Sequence, residues 1–332
     1  MFALREIFRK LGYESRIFSS EPCAIREQDV EDWQRYPADE HDVLLIHYSL
    51  GAPEFRSVFS APGRKALLYH GVTPARFIKN LPSIRLRAEA GENELVDFAS
   101  RCEAAIAHSD FTAEDLRANG YPKVDVLPYT LWERLYDAAP DPEILDRYRR
   151  DDRKNLLVVG RIMPHKRVED SLFVLDYLRN RIGAGWRLIL VGSANGAETY
   201  REKLVSLAGK LNLSDITWAG AVSQAGLIAF YQVADAFLLT SEHEGFGVPL
   251  IEAMRYDVPV FACANAAVPE VLADSGVLFH ENNWPLLAEA IQLVATDPKR
   301  KEDVLTSQRA RRECFSRASS EQRWQKWLDR FR

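Results

Sequence analysis

The sequence AFLLTSEHEGFGVPLIEAMRYDVPVFAC occupies residues 236–263 and holds two apolar runs with a short periodic segment between them. The first run ends at Ser241, and the second spans Val258–Cys263. Unbroken apolar runs of this length are typical of strands in a parallel sheet that is covered by helices on both faces. Pro249 fits the first turn of the intervening helix. The stretch therefore predicts a strand, a helix and a second strand parallel to the first.

The same alternation of apolar runs and helical patterns recurs along the whole chain. Thr112 and Asp115 form a Thr-x-x-Asp pattern, which predicts a helix that opens at Thr112. The runs that predict strands lie at Ser15–Ser19, Val43–Ser49, Lys65–His70, Ala104–Ser109, Val124–Tyr129, Asn155–Gly160, Trp186–Gly192, Ile216–Gly220, Ala236–Ser241 and Val258–Cys263. The rhythm predicts an α/β protein with doubly wound parallel sheets.

The length of 332 residues exceeds that of one ordinary core, so two domains are expected. The stretch Trp132–Asn155 is charged, contains two prolines and has few apolar residues, which is typical of a linker. We therefore predict a Rossmann-like N-terminal domain over residues 1–135, a linker over 136–154, a Rossmann-like domain over 155–318 and a terminal helix over 319–332 that docks back. Two such domains would face a cleft, with ligands at the carboxyl ends of the strands.

The chain begins with a helical pattern, in which Leu4, Ile7, Phe8 and Leu11 share one face. An α/β domain of this type normally begins with a strand and a glycine-rich turn. The first strand of the N-terminal domain is therefore predicted to be missing from this sequence.

Composition and charge exclude several classes of function. The net charge of −5 does not favour nucleic-acid binding, and no apolar run approaches the roughly 18–20 residues that span a bilayer. The four cysteines lie far apart, without a disulfide framework or a zinc motif, and Cys263 is expected to be a buried apolar residue. No secretory signal is visible, so we expect a cytoplasmic protein.

Two cations follow the strand that ends at Gly160, in the sequence VVGRIMPHKRVEDSL. Arg161 comes directly after the strand, and Lys166 lies near the start of the next helix. Cations beside a helix N-terminus are suited to a pyrophosphate, because free N–H groups and the helix dipole add to their charge. The alternative is a solvated basic turn, in which Arg167 is one more surface charge.

Two glutamates flank a Gly-Phe-Gly turn in the opening stretch. Glu244 lies in the loop after a strand, and Glu252 lies on the early turns of the following helix, where Leu250 would face the core. Carboxylates accept hydrogen bonds from hydroxyl pairs such as those of sugars or ribose, and the N–H groups of Gly247 and Val248 are suited to a phosphate. The alternative is two surface acids near a helix N-terminus.

Other candidate groups lie in the first half of the chain. His70 and, less strongly, His47 end predicted strands, although a lone histidine is often structural. The segment Pro74–Gly91 mixes Arg76, Lys79, Arg85 and Arg87 with apolar residues. Such a segment would suit an anionic acceptor or membrane surface, or would be a solvated helix face. No Asp-x-Asp motif and no metal-ligand spacing occurs, so the site is expected to be free of metal.

These motifs resemble those of the family-4 retaining glycosyltransferases of the GT-B fold. The resemblance rests on VVGRIMPHKRVEDSL (158–172), on TWAGAVSQAGLIAFYQVADAFLLTSEHEGFGVPLIEAM (217–254) with its two glutamates eight positions apart, and on VPEVLADSGVLF (268–279). The sequence YHGVTP (69–74) is similar to bacterial members that build polysaccharides such as O-antigens. The chain departs from the family in the missing first strand, in Ala267 and Val268 before the Pro-Glu pair, and in the loop after Tyr129.

The resemblance implies a role for each candidate residue. Arg161 and Lys166 would hold and stabilise the leaving diphosphate, Glu244 would contact the donor sugar, and Glu252 would bind the ribose diol. His70 would face the donor sugar as a fourth catalytic group. The remaining donor contacts would come from Gly160, from Val222 beside the base, and from the backbone of Phe246, Gly247 and Val248.

The resulting prediction is a hexosyltransferase that moves a mannose-like or rhamnose-like sugar from a nucleotide-diphosphate donor, with retention. The acceptor would be a saccharide or a lipid-linked glycan of the cell envelope, which implies peripheral contact with the inner face of the membrane. No cofactor is predicted. Two alternatives stay open: a nucleotide-sugar epimerase of the same fold, and a subunit that binds the donor without catalysis. The sequence leaves the base, sugar, linkage and oligomeric state open.

Overall fold

The computed structural model describes residues 1–19, 30–51, 55–78, 81–183, 185–280 and 283–331. Their contacts divide the chain into two compact units. Unit 1 comprises Met1–Ala75, Ser83–Glu133 and Phe315–Arg332. Unit 2 comprises Arg76–Pro82 and Arg134–Cys314. Cys23 and Lys79 of the sequence predictions lie outside the described residues.

The described residues form strands and helices in alternation, and each of the ten predicted strands overlaps an observed one. The strands are β1 Phe18–Ser19, β2 Glu31–Asp32, β3 Val43–Tyr48, β4 Arg64–Tyr69, β5 Ala104–Ala107, β6 Val124–Val126, β7 Lys154–Val159, β8 Trp186–Val191, β9 Ile216–Gly220, β10 Ala236–Leu239, β11 Val260–Cys263 and β12 Val277–Phe279. The helices are α1 Phe2–Lys10, α2 Phe55–Ser60, α3 Pro82–Ala99, α4 Asp110–Ala118, α5 Glu133–Tyr136, α6 Pro142–Arg149, α7 Val168–Asn180, α8 Glu198–Lys210, α9 Gln224–Val233, α10 Val248–Arg255, α11 Val268–Leu272, α12 Trp284–Thr296, α13 Pro298–Arg312 and α14 Arg317–Phe331.

Unit 1 is built on a parallel sheet with the strand order β3-β4-β5-β6. Helices α1 and α14 bury their apolar faces together against it, through Leu4, Ile7, Trp324 and Trp327, which pack with Leu68 of β4. The two tryptophans are almost fully buried. The terminal helix is therefore part of the core of unit 1. A separate pair, β1 and β2, is also parallel.

The start of α4 corrects one sequence prediction. The helix begins at Asp110, and Ser109 caps it by accepting a hydrogen bond from the Thr112 amide. The Ser109 amide in turn donates to the Thr112 hydroxyl oxygen, so the two residues form a capping box. The pattern at Thr112 and Asp115 identified the right turn of the chain but placed the capping residue three positions late, because Ser109 is equally able to cap.

The segment Pro74–Gly91, apart from residues 79 and 80, continues into α3. Arg85 on α3 pairs with Glu89 one turn later, and both side chains are partly exposed. Leu86 is an exposed apolar residue beside them. These features describe a solvated helix face, and contact with a membrane stays a prediction. None of the described helices is long and apolar enough to cross a bilayer.

Unit 2 is built on a six-stranded parallel sheet with the order β12-β11-β10-β7-β8-β9. This is the Rossmann arrangement, in which the first strand of the unit, β7, pairs with β8 on one side and with β10 on the other. The chain order reverses between β7 and β10, so the loops after these two strands leave the sheet at its topological switch point. Ligands of such sheets bind at that edge.

The interval 136–154 was assigned to a linker from its charge. In the structure it contains α6, which packs against α9 of unit 2 and buries Tyr148. The amide of Asp141 donates to the carbonyl of Ala225, and Arg187 donates to the carbonyl of Tyr148. This interval is therefore folded onto unit 2. Its few apolar residues suffice because α6 buries only one side.

Two glycines hold β7 and β8 close together where they end. Gly192 has φ +148°, and a Cβ atom added there would lie 1.8 Å from the carbonyl oxygen of Gly160. The Gly192 amide donates to the carbonyl of Gly220 at 2.8 Å, which ties the next strand to the same point. Only glycine at position 192 permits this approach of the backbones.

We expect Gly192→Ala to lower the free energy of unfolding of unit 2 by about 3 kcal/mol or more, because the methyl group overlaps a backbone atom. Urea denaturation measures the loss. Gly209→Ala is the matched control, since a Cβ atom there meets nothing within 4 Å and α8 would gain about 0.5–1 kcal/mol of helix propensity. Equal effects of the two changes would contradict this account.

Candidate active site

The loops after β7 and β10 are joined to each other by hydrogen bonds. We name residues 160–167 the β7 loop and residues 240–247 the β10 loop. The Glu242 amide donates to the carbonyl of His165 at 2.8 Å. The Thr240 hydroxyl lies within hydrogen-bonding distance of the carbonyls of Lys166 and Arg167, at 2.8 and 2.9 Å. These hydrogen bonds therefore connect the β7 loop to the β10 loop at the switch point.

Lys166 and Glu244 form an ion pair between these loops. The Lys166 ammonium donates to Oε1 of Glu244 at 2.6 Å, and the Ser241 hydroxyl donates to the same oxygen at 2.7 Å. The side chain of Glu244 is 10% exposed and that of Lys166 is 21% exposed. The carboxylate is therefore held by one of its oxygens beside a cation that reaches solvent.

The β10 loop turns directly into α10. Gly247 adopts the left-handed conformation with φ +88° and caps the helix, which begins at Val248. A side chain at position 247 would be strained in this conformation, and its Cβ would lie 2.9 Å from Leu250. Phe246 is buried. The turn thus places the Gly247 and Val248 amides at a helix N-terminus within four residues of Glu244.

Glu252 lies on α10, and its carboxylate is bonded by two tyrosines. The Tyr231 hydroxyl donates to Oε2 at 2.7 Å, and the Tyr136 hydroxyl donates to Oε1 at 2.5 Å. Glu252 as a whole residue is 6% exposed. Burial raises its pKa, and the two tyrosine hydrogen bonds oppose that rise. Leu250 on the same helix is buried in the core, as predicted, and Met254 is buried with it.

The other donor-site candidates of unit 2 lie along the same sheet edge. Arg161 is exposed, and its guanidinium donates to the carbonyl of Asn195 at 3.0 Å. Gly160 ends β7 next to Gly192. Val222 is half-buried in the turn after β9, which is the edge strand two positions from β7. The structure therefore joins Lys166 to Glu244 directly and places Arg161 and Val222 on the β8–β9 side.

His70 belongs to a histidine cluster in unit 1. Nε2 of His70 lies 3.0 Å from Nδ1 of His47, and its ring lies 4.9 Å from that of His108. The three residues stand at the carboxyl ends of β3, β4 and β5, which are neighbouring strands. Burial lowers the pKa of His70 to about 3 and that of His108 to about 4, so both rings are neutral near pH 7. In the described parts of the chain, no cluster of His, Cys, Asp or Glu is suited to a metal ion.

Comparison with known proteins places this geometry in a family. Residues 142–312 match the model of the family "Glycosyl transferases group 1". This range contains β7 to β12, both loops, Glu244 and Glu252. The chain belongs to this family.

Individual relatives of this group 1 glycosyl transferase chain agree with the assignment. It is 35% identical to a D-inositol 3-phosphate glycosyltransferase of Segniliparus rotundus over 280 residues, which cover 80% of this chain and 61% of the relative. It is 24% identical to the serotype-specific mannosyltransferase WbdA of Escherichia coli over 162 residues, 49% of this chain and 20% of the relative. The chain thus spans less than two thirds of each of these curated relatives.

A solved structure confirms the fold of this member of the group 1 family. HepE of Anabaena, crystallised in complex with UDP-glucose, superimposes with a TM-score of 0.66 and 16% identity, over 87% of this chain and 100% of HepE. A likeness at this identity shows the fold. The prediction of a GT-B protein with two Rossmann-like α/β domains is confirmed.

Sequence reasoning missed several residues that hold the candidate groups. Ser241 and Tyr231 bond Glu244 and Glu252 directly, and neither carried a motif of its own. Arg167 was one of the surface charges of the alternative reading, whereas its side chain is 28% exposed and lies among three carboxylates. Ser241 lies three residues before Glu244, and this spacing could have identified its hydroxyl as a partner of the carboxylate. The tyrosine partners become visible only when α9 and α10 are packed.

The buried His165 makes the stability of unit 2 depend on pH. Burial lowers its pKa to about 3, whereas an unfolded histidine titrates near 6.5. Below pH 6.5 the unfolded chain therefore binds a proton that the folded chain does not, so stability falls as pH decreases. From pH 7.5 to 5.0 we expect wild type to lose about 1–2 kcal/mol more than His165→Gln. Urea unfolding at both pH values measures this difference, and equal losses would contradict the assignment.

Proposed function

We propose that this chain is a retaining glycosyltransferase of family 4, which moves a hexose from a nucleotide-diphosphate sugar to a saccharide or lipid-linked glycan. The observation that carries the proposal is the Lys166–Glu244 pair, set between the two switch-point loops and beside the start of α10. One cation and one carboxylate side by side match the two halves of a nucleotide sugar, its anionic diphosphate and its hydroxyl-bearing ring. Membership of the glycosyl transferase group 1 family supports this reading.

The donor diphosphate is assigned to the cationic side of the site. Lys166 supplies a charge at the switch point, and Arg161 supplies a second on the β8 side. Gly160 precedes Arg161, and a Cβ atom there would meet nothing within 4 Å, which leaves room for the phosphates. The amides of Gly247 and Val248 add donors at a helix N-terminus, where anions are favoured. Charge that develops on the leaving diphosphate is stabilised by groups already in place, which is the form of catalysis with the largest effect on rate.

The two glutamates are assigned to the hydroxyl groups of the donor. Glu244 is assigned to the hydroxyl groups of the sugar. Lys166 and Ser241 hold one of its oxygens and thereby orient the carboxylate. Glu252 reads the ribose diol, with its carboxylate fixed by Tyr136 and Tyr231. The backbone of Phe246 completes the sugar contacts, and Val222 lies beside the base.

The transfer itself is assigned to a front-face step. The bond between the anomeric carbon and the diphosphate oxygen breaks, and the acceptor oxygen forms a bond to that carbon on the same face. The proton of the acceptor hydroxyl passes to the departing phosphate. His70 is proposed as a further group for the donor sugar, and because its ring is neutral at pH 7 it would act as a hydrogen-bonding group rather than as a cation.

The names of the relatives support a proposal for the sugar and the acceptor. The E. coli relative is named a mannosyltransferase, and HepE is crystallised with UDP-glucose. Mannose and glucose are both hexoses, so we propose that this chain transfers a hexose, with mannose as the first candidate. A glycan of the cell envelope is the proposed acceptor, and the protein is proposed to work in the cytoplasm at the inner face of the membrane.

A thermal-shift screen with UDP-glucose, GDP-mannose and dTDP-rhamnose tests donor binding, since a bound ligand raises the melting temperature. For the donor that binds and is transferred, we expect Lys166→Ala and Glu244→Gln each to lower kcat/KM by about 10²–10³-fold, as loss of one preorganised group does. Arg161→Ala is expected to weaken donor binding. Lys210→Ala and Glu202→Gln, at exposed positions of α8, are the matched controls. Full activity of the site variants would refute the assignment, and an epimerised sugar without acceptor would identify an epimerase.

The role of Glu252 is tested with UDP and GDP and their 2′-deoxy counterparts. We expect wild type to prefer the ribonucleotide by about tenfold, because a buried carboxylate loses a partner when the hydroxyl is absent. Glu252→Gln keeps the shape of the side chain and should reduce this preference to less than about threefold. Calorimetry measures the dissociation constants. An unchanged preference in the variant would exclude Glu252 from ribose binding.

A further inference from the structure

Arg167 has a backbone conformation that an arginine rarely adopts. Its φ is +50° and its ψ is 45°, in the left-handed region, at the position that caps α7. A side chain is disfavoured in this conformation, and glycine is the residue that adopts it readily. Such a residue persists where its surroundings compensate, and strained residues concentrate at functional sites.

The compensation comes from the guanidinium group, which bridges α7 and the β10 loop. Nε and Nη2 donate to the two carboxylate oxygens of Asp170, both at 3.2 Å. Nη1 donates to Oε1 of Glu242 at 2.9 Å. Asp170 is fixed on the first turn of α7 and is almost fully buried. The arginine therefore ties Glu242 to a rigid anchor on the other side of the switch point.

Both ends of this bridge lie next to the proposed catalytic pair. Arg167 directly follows Lys166, and Glu242 precedes Glu244 by two residues. The Thr240 hydroxyl contacts the carbonyls of Lys166 and Arg167 on one side, and the Glu242 amide donates to His165 on the other. The guanidinium adds the contact between side chains that complements these backbone contacts.

We propose that Arg167 is a positioning residue, which holds the β10 loop against the β7 loop so that Lys166 and Glu244 meet in the geometry needed for transfer. The proposal rests on the proposed function for its catalytic consequence. It does not require Arg167 to touch the donor. A displacement of either loop by about 1 Å would cost up to about 10²-fold in rate, because the two groups act only when aligned.

The surroundings of Arg167 allow a clean test. The arginine borders a polar pocket of about 200 Å³, whose other lining residues include Asp170, Cys263, Asn265 and His280. Removal of its side chain therefore enlarges a polar pocket rather than emptying an apolar core. Glycine also relieves the left-handed backbone. Arg167→Gly also leaves the buried Asp170 without its cation, which costs stability. Glu242→Gln breaks the bridge and keeps the Arg167–Asp170 pair, so an effect shared by both variants reports the loss of the bridge.

The kinetic test uses Arg167→Gly, Glu242→Gln and the double variant with the nucleotide sugar that wild type transfers. We expect kcat to fall about tenfold in each single variant, with KM for the donor changed less than about threefold, because alignment rather than charge at the donor is lost. The double variant should be no worse than Arg167→Gly, since both changes break one bridge. Unchanged kcat, or additive losses, would overturn the proposal.

Asp257→Gly is the matched control. Asp257 also has a left-handed backbone, with φ +51°, and it pairs with Arg309 and Arg312 away from both loops. The change to glycine likewise relieves the backbone and removes an ion pair. We expect its kcat to equal that of wild type. A loss as large as that of Arg167→Gly would show a general effect on unit 2 and would overturn the specific role of the bridge.

A second measurement needs no substrate and separates this proposal from the proposed function. Acetic anhydride labels accessible lysines, and mass spectrometry measures the rate at each position. Lys166 is held by Glu244, so we expect slow labelling in wild type and at least about threefold faster labelling in Arg167→Gly and Glu242→Gln, with the exposed Lys210 as reference. Equal Lys166 rates in all variants would overturn the bridge even if transfer is confirmed. Faster labelling in a protein that transfers no sugar would uphold the bridge and refute the function.

Discussion

The pairing of β7 with β10 is the contact on which the candidate site depends. Ala236 lies opposite Leu156, and Phe237 lies opposite Leu157, so two strands about eighty residues apart in sequence become neighbours. Because the strands are parallel, both leave the sheet at the same edge. Their loops then have to share a small volume, and the hydrogen bonds between them follow from that crowding. Lys166 and Glu244 meet as a result of the sheet order.

This arrangement of charge is better explained by ligand chemistry than by stability. Ion pairs that lose much of their hydration gain little net stability, because desolvation offsets the Coulomb attraction. Here several acids and bases crowd one edge of unit 2, while the opposite faces of its sheet are covered by apolar helices. Glu252 is the clearest example. Burial of this carboxylate costs free energy of folding, even with two tyrosine hydrogen bonds. A ligand that binds the oriented carboxylate would explain why the residue is present.

The sequence was sufficient to predict the architecture, because strands buried on both faces need unbroken apolar runs and such runs are visible. The sequence did not predict the shortest strands or features that depend on backbone conformation and packing. Strand β2, Glu31–Asp32, has no apolar residue to mark it, and β12 lies in a run of only three apolar residues. The role of Arg167 was hidden because a left-handed φ in an arginine leaves no mark in the sequence. The tyrosine partners of Glu252 were hidden because they come from α5 and α9, whose packing only the folded chain defines.

The docking of α14 has a consequence for how the protein is made. Unit 2 consists mainly of one continuous stretch, 134–314, whereas the core of unit 1 needs Trp324 and Trp327. During synthesis, the first half of the chain emerges before α14, which completes its core. The core of unit 1 is therefore incomplete until all of unit 2 has been synthesised. The later half can close its own core first. The earlier half therefore spends this interval with apolar surface uncovered, which is the period when chaperones and proteases compete for a nascent chain.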